Sequence, residues 1–504
     1  MDTCSRMRRI DCPRVPEGAK TLFHVTAFLL AFTSTAFSRE LPMPVPTNLP
    51  ENIRTVLNAC PPLRNQRGSR ELLYQYSIGS LSALNDEEAE WTIRELAARG
   101  IGVISMWQTG ANQDAGIAEA LRIGRIQKKL GFTVACDANA LLYSFYDKTA
   151  ATAHVDEAGQ PFFDESFSGP KMGCPFALEH RMPVILGRVA AYVEAYHHAG
   201  IPIGIVTADW EIDGPHEWNE AWRSSRQCAR CRENLPNIDD FAAFQARMRQ
   251  MRSRLQRECY ADPILARNPD ALVTNYAVYP NDGWRYWYDY FEHPQPELPH
   301  KRDQNDLHRP WYNDFFETHF TLAMPVVYTW YRIYDAYPEF TNPDYRWFYN
   351  MLLVGTNAGK STPSGIPIAT FVHWHTTAPP ADSPAVPQMS AEAYTELLWH
   401  LLLRGHDIFY SWTPMDELAE EIALVQRVYD GSLLYNNWLL NGTPICFDVP
   451  RQQGPVISGV RVGNQVLLRR TDFGEVREPV TITVDGRRLV VPVSPGRMQI
   501  LDLE

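Results

Sequence analysis

Eight short apolar runs recur between residues 72 and 411, and helix-length segments separate most of them. The runs fall at 72–78, 102–107, 132–137, 203–213, 271–276, 322–328, 366–372 and 406–411, and the fourth of them turns acidic in its second half. Continuous apolar stretches of this length suit strands covered on both faces. Helical segments are predicted at 86–99, 115–130, 184–199, 239–259, 345–354, 391–403 and 415–429. The first has an acidic first turn and a basic last one, which complements the helix dipole. Gly131, Gly200 and Gly405 stand where three of these helices must stop. Strand–helix alternation repeated this often demands parallel strands with helices outside them. The sequence therefore predicts an α/β fold, a (β/α)8 TIM-type barrel. A doubly wound sheet is the competing architecture, but no Gly-rich phosphate fingerprint follows the first strand.

The flanks read differently. Residues 1–38 predict a signal peptide: Arg6, Arg8, Arg9, Arg14 and Lys20 precede the apolar stretch 22–37, and Ala36-Phe37-Ser38 offers small residues for cleavage. The stretch is short and dotted with Thr and Ser, so no stable membrane insertion is expected once the signal is removed. A secreted or periplasmic location follows. Residues 39–70 are Pro-rich and predict an irregular lead-in wrapping the surface. The barrel is assigned to 71–435. From 436 to 504 short strands at 456–462, 465–470, 480–484 and 489–493 alternate with Gly-Asn and Asp-Gly turns, which predicts a small C-terminal all-β sandwich. Nothing in the sequence fixes the oligomeric state.

In a barrel the C-terminal strand ends converge on one mouth. Those ends offer Trp107; Asp137 and Asn139; Asp209 and Glu211; Asn275, Tyr276 and Tyr279; Tyr328 and Trp330; His373 and His375; and Tyr410 and Trp412. Asp209, Glu211 and Asp213 alternate onto one face, with Trp210 on the other. Like charges crowded at the end of a buried strand repel and lose hydration, so stability does not explain them. The chain holds 14 Trp and 23 Tyr, whose flat faces and polar tips suit sugar rings. Its formal charge is −12 and no Lys/Arg-rich stripe runs along it, so nucleic acid is not an expected partner.

Carboxylates at i and i+2 perturb each other, which pushes one toward the protonated form of a general acid. Glycosidic cleavage needs such an acid and a group that stabilises the oxocarbenium-like centre. Glu211, further toward the mouth and longer, is the candidate acid, and Asp209 the orienting or stabilising partner. Polysaccharide lyase chemistry with His373, His375 or a Tyr as base, and a non-catalytic carbohydrate-binding barrel, are the alternatives. The aromatic insertion 281–316, with Trp284, Tyr286, Trp287, Tyr288, Tyr290 and Trp311, is expected to wall the cleft.

The run Gly204-Ile205-Val206-Thr207-Ala208-Asp209-Trp210-Glu211, followed by Trp218 and Trp222, resembles the hyaluronidase-type glycosidases. The likeness extends to Asn275-Tyr276-Ala277-Val278-Tyr279-Pro280-Asn281-Asp282 and to Asp407-Ile408-Phe409-Tyr410-Ser411-Trp412. That resemblance implies a barrel that cleaves with help from the substrate's acetamido group. It would make Glu211 the acid, let Asp209 position the N-acetyl group, and let Tyr276 or Tyr279 support it. The match covers about a third of the chain, and the acidic strand comes fourth, later than the family leads one to expect.

Of nine cysteines, Cys4 and Cys12 would leave with the signal. The seven that stay are an odd number, so at least one is unpaired within the chain. Cys228-Ala229-Arg230-Cys231 has half of a zinc-site spacing, yet no second such pair and no His-x-x-x-His follows it. It therefore reads as a loop disulfide or structural pair, with no metal site and no cofactor expected.

Overall fold

The computed structural model describes residues 45–142, 149–164, 173–208, 219–275, 316–329, 334, 337–375, 385–475 and 478–503. Its first element is a helix, α1 (Glu51–Ala59), where the sequence predicts an irregular lead-in. Pro50 sits at the N-cap and Pro61 and Pro62 lie beyond the end, so the prolines bound this helix rather than break it. Ile53 and Val56, one turn apart, are fully buried. The described part of the lead-in thus contributes Leu49, Ile53, Val56 and Cys60 to the core.

Then come β1 (Leu73–Gln75), α2 (Asp86–Ala98), β2 (Ile101–Gly102), β3 (Ile104–Met106), α3 (Gln113–Leu130) and β4 (Ala135–Asp137). A hairpin of β5 (His154–Val155) and β6 (Pro161–Phe162) precedes α4 (Leu178–His198) and β7 (Ile205–Thr207). Four helices follow: α5 (Asn219–Gln227), α6 (Ala229–Asn234), α7 (Phe241–Gln256) and α8 (Asp262–Arg267). The series ends with β8 (Leu272–Val273), β9 (Val326–Tyr328), α9 (Pro343–Ser361), β10 (Ala369–His373), α10 (Ala391–Leu403), β11 (Ile408–Ser411), α11 (Leu418–Ser432) and α12 (Asn436–Asn441).

The strands that alternate with the helices form two parallel sheets, ordered β2-β1-β11-β10-β9 and β3-β4-β7-β8. Val103 alone separates β2 from β3, so one chain segment serves both sheets. At the other edges the N–H groups of Thr321 and Leu322 donate to the Val273 carbonyl at 3.1 and 3.2 Å, and Ala323 bridges Ile368 in parallel. One apolar cluster includes Leu73 and Ile104 from strands of the two sheets, with Ile123, Val189 and Ile422 from the helices. Tucked against α1, Asp430 of α11 accepts the backbone N–H groups of Arg64 and Asn65, both at 3.0 Å.

Two helices outrun their sequence reading. Helix α4 begins before Pro183, which stands in its second turn and removes one hydrogen bond without ending the helix. Helix α9 continues through Gly355 and Gly359. A Cβ on Gly359 would lie 2.1 Å from the Arg404 carbonyl, so this glycine permits close approach instead of stopping the helix. By contrast Gly131 and Gly405, at φ +71° and +89°, do end helices as predicted.

The C-terminal strands are antiparallel. The strands β12 (Thr443–Ile445), β13 (Pro455–Val462), β14 (Gln465–Asp472) and β17 (Met498–Asp502) form one sheet, and β15 (Val480–Val484) pairs with β16 (Arg487–Val491). Asp485 and Gly486 both take positive φ at the β15–β16 turn, as a two-residue hairpin requires. Ile457, Val466 and Leu468 share an apolar cluster with Val484, Leu489 and Val491.

Candidate functional site

Parallel register brings several of the predicted residues to the same level. Met106, Asp137 and Thr207 align across β3, β4 and β7, and Tyr328 aligns with His373 across β9 and β10. Asp137 is buried, accepting the Asn139 N–H at 3.0 Å and the Thr207 hydroxyl at 3.1 Å. Burial pushes its carboxyl up to about 6, against the lowering effect of the Asn139 amide and the Thr207 and Tyr410 hydroxyls. Tyr410 belongs to β11, in the other sheet, so this interaction joins the two sheets. Asn139 Oδ1 is buried with no hydrogen-bond partner among the described residues.

From Tyr410 a train of ring contacts continues. Tyr410 packs edge-on against Phe371 at 4.9 Å, Phe371 against Tyr328 at 5.3 Å, and Tyr328 lies 6.2 Å from Trp412, nearly parallel to it. His373 meets the Trp412 ring at 4.7 Å. Its Nδ1 lies 3.1 Å from Glu421 of α11, both side chains being buried. The other Glu421 oxygen accepts the Trp374 N–H at 3.0 Å and the Tyr394 hydroxyl at 3.3 Å. Burial alone would raise the Glu421 pKa; the bonds from His373 and His375 outweigh it and hold the carboxylate ionised. His375 lies 3.5 Å from both Glu417 and Glu421 and 3.8 Å from Glu420. Desolvation lowers its pKa, but these three carboxylates together raise it.

The remaining predicted residues divide into two groups. Trp107 is buried, with its ring stacked on Tyr192 of α4 at 4.7 Å, within the strand–helix packing. Asn275 is buried just past β8. Asp209, Glu211, Tyr276, Tyr279 and Trp330, together with the insertion 281–315, lie outside the described residues.

Sequence reasoning missed Glu421 because its partners lie 27 to 48 residues upstream. Its signal was an acid inside the apolar stripe Leu418, Ile422, Val425 of a helix. Of the two sequence readings of the Cys228–Cys231 pair, the disulfide does not hold. Cys60, Cys136, Cys174, Cys228, Cys231, Cys259 and Cys446 are all unpaired thiols, so Cys228 and Cys231 are not a disulfide. They stand with Cys174 and His154, all four buried.

No protein-family model and no curated protein matches the chain. Solved structures similar to it include alpha-L-fucosidase isoenzyme 2 from Paenibacillus thiaminolyticus, at 10% identity and a TM-score of 0.43 over 75% of this chain and 51% of that one. The chain thus spans about half of the fucosidase's length. Isomaltulose synthase from Klebsiella sp. matches at 10% identity and TM-score 0.45, over 86% of this chain and 99% of that one. Bee venom hyaluronidase matches at 13% identity and TM-score 0.31, over 55% and 82%. Among the described residues no helix is long and apolar enough to cross a membrane.

Proposed function

We propose that the chain is a secreted glycoside hydrolase, and that its two parallel sheets are the two arcs of one (β/α)8 barrel. The backbone bonds from Thr321 and Leu322 to Val273 support closure on one side, and the segment shared by β2 and β3 supports it on the other. On this reading 71–435 is the catalytic barrel, 436–504 a C-terminal β-sandwich domain, and 1–38 a signal peptide.

One observation carries the reading. The C-terminal ends of β4, β9, β10 and β11 hold a connected set of an acid, tyrosines, a tryptophan and histidines, reaching from Asp137 through Tyr410 and Tyr328 to Trp412 and His373. Aromatic faces and buried hydrogen-bonding groups at strand ends are the means by which a barrel holds a carbohydrate. Strand β7 ends at Thr207, level with Asp137, and the next residues in sequence carry Asp209 and Glu211. Glu211 protonates the leaving oxygen and Asp209 orients or stabilises the reacting centre. Asn139, Asn275, Tyr276, Tyr279, Trp330 and His375 complete the proposed carbohydrate-binding set, whereas Trp107, expected in it from the sequence, has its ring face taken up by Tyr192. The lyase alternative is weakened at His375, because the three carboxylates around it favour its protonated form, which cannot accept a proton.

The test is Glu211→Gln, assayed for release of reducing ends across a panel of polysaccharides and aryl glycosides. A turnover number at least 100-fold lower, with unchanged thermal unfolding, is expected for loss of a general acid, roughly the lower bound of such contributions. Near wild-type turnover would eliminate Glu211 from the chemistry. Products absorbing as unsaturated uronates would replace hydrolysis with elimination.

A further inference from the structure

We propose that His154, Cys174, Cys228 and Cys231 bind one zinc ion in a closed structural site that staples the segment after β4 to the helices after β7.

The four donor atoms lie within 4.8 Å of one another, and every one of the side chains is buried. The Cys174 sulfur is 3.5 Å from that of Cys231 and 3.8 Å from that of Cys228, and the Cys231 sulfur is 3.9 Å from His154 Nδ1. A disulfide would bring two sulfurs to about 2.05 Å. Four ligands around one zinc at bonds of about 2.3 Å to sulfur and 2.0 Å to nitrogen leave donor–donor edges of roughly 3.6 to 3.8 Å, close to the 3.5, 3.8 and 3.9 Å of those three contacts, and the whole set needs only a small contraction from its 4.8 Å bound. An iron–sulfur cluster would spread its cysteines over more than one metal, whereas these donors surround a single point. Three thiolates and an imidazole are a soft set that selects zinc over magnesium or calcium. All four positions come from the protein and none faces solvent, so no place is left for a reacting water. The site is structural.

The surroundings hold each donor in place. His154 stands on the β5–β6 hairpin with its ring stacked on Phe162 at 5.0 Å. The Cys174 N–H donates to the Thr152 carbonyl at 2.5 Å, fixing that cysteine beneath the hairpin. Gly173 before it has no room for a side chain, since a Cβ would lie 2.3 Å from the same carbonyl. Cys228 and Cys231 lie at the start of α6. Around them is a small apolar cluster distinct from the main one, with Phe176, Trp222, Leu235, Phe244 and Met248 among its members. A core of that size buries little apolar surface, and small cores are commonly completed by a metal. In sequence the ligands are far apart and out of the usual order: His154 and Cys174 precede the Cys-x-x-Cys pair, with α4 and β7 between them.

The test uses the full chain purified without chelator, with metals measured by inductively coupled plasma mass spectrometry. About one zinc per chain is expected. Cys228→Ser and Cys231→Ser should each hold at least tenfold less, while Cys259→Ser, a buried cysteine outside the cluster, should keep the full complement. Cobalt substitution should give a thiolate-to-cobalt charge-transfer band and the visible bands of a tetrahedral ion. Stripping the metal should lower the unfolding midpoint by roughly 5 °C or more. Zinc-free wild-type protein from zinc-supplemented growth would overturn the proposal. So would a disulfide among Cys174, Cys228 and Cys231 in intact wild-type protein, or full zinc retention in both Ser variants.

Discussion

Asp137 is the residue where burial and chemistry conflict most openly. Its carboxyl has three hydrogen-bonding partners, yet desolvation outweighs them and moves its pKa from 3.8 up to about 6. Between those values the folded chain binds more protons at this site than the unfolded chain does. Stability contributed here is therefore present below pH 4 and lost as the pH rises through about 6. Two pKa units correspond to about 3 kcal/mol. Asp137→Asn removes the ionisation, so its stability relative to wild type should rise by up to that amount between pH 4 and pH 7. Urea unfolding at four pH values reads this directly, and a difference that falls with pH would refute it. The candidacy of Asp137 was legible in sequence, because an acid ending an apolar run is rare for reasons of stability alone. Its titration was not, because that depends first on how deeply the fold buries it and then on Thr207 and Tyr410, contributed by other strands.

At the scale of elements, Glu421 is the tie between the end of β10 and the outer helices. It sits fully buried on α11, bonded to His373, to the Trp374 backbone and to Tyr394 of α10. Removing one partner of such a buried arrangement leaves the others unpaired and costs about 3–5 kcal/mol. Glu421→Ala should lower stability by that order in urea unfolding, and a loss below about 1 kcal/mol would show that the site relaxes freely. The order and type of the main helices and of most strands could be read from the sequence, since apolar period and stop residues are local signals. Helix α1 could not, because its buried face is only Ile53 and Val56 amid prolines. The extent of α9 was hidden for a related reason: Gly355 and Gly359 look like stops until the neighbouring helix that needs their bareness is in view.

At the scale of the whole molecule, the C-terminal strands were recognisable from their turns, but their attachment was not. Arg404, fully buried at the end of α10, donates to Ser458 Oγ at 2.8 Å and to the carbonyls of Phe447 and Asp448 at 2.8 and 2.9 Å. His400, one turn earlier, lies 2.7 Å from Ser458 Oγ and 3.0 Å from Thr471 Oγ1. Burial and the nearby Arg404 and Arg469 hold its pKa well below the usual histidine range, so it is a neutral linker in this joint. Leu403, Val460 and Leu467 fill the apolar space beside it. A chain ending at residue 442 would strip Arg404 of its Ser458, Phe447 and Asp448 partners and expose the apolar flank of α10. Exposing that much apolar surface, together with the lost hydrogen bonds, is worth several kcal/mol, comparable with the net stability of a whole domain. The truncated protein should therefore be insoluble or unfold well below the full chain. Soluble expression with an unfolding midpoint within a few degrees of the full chain would show that the parallel-sheet part stands alone and that these buried polar contacts contribute little.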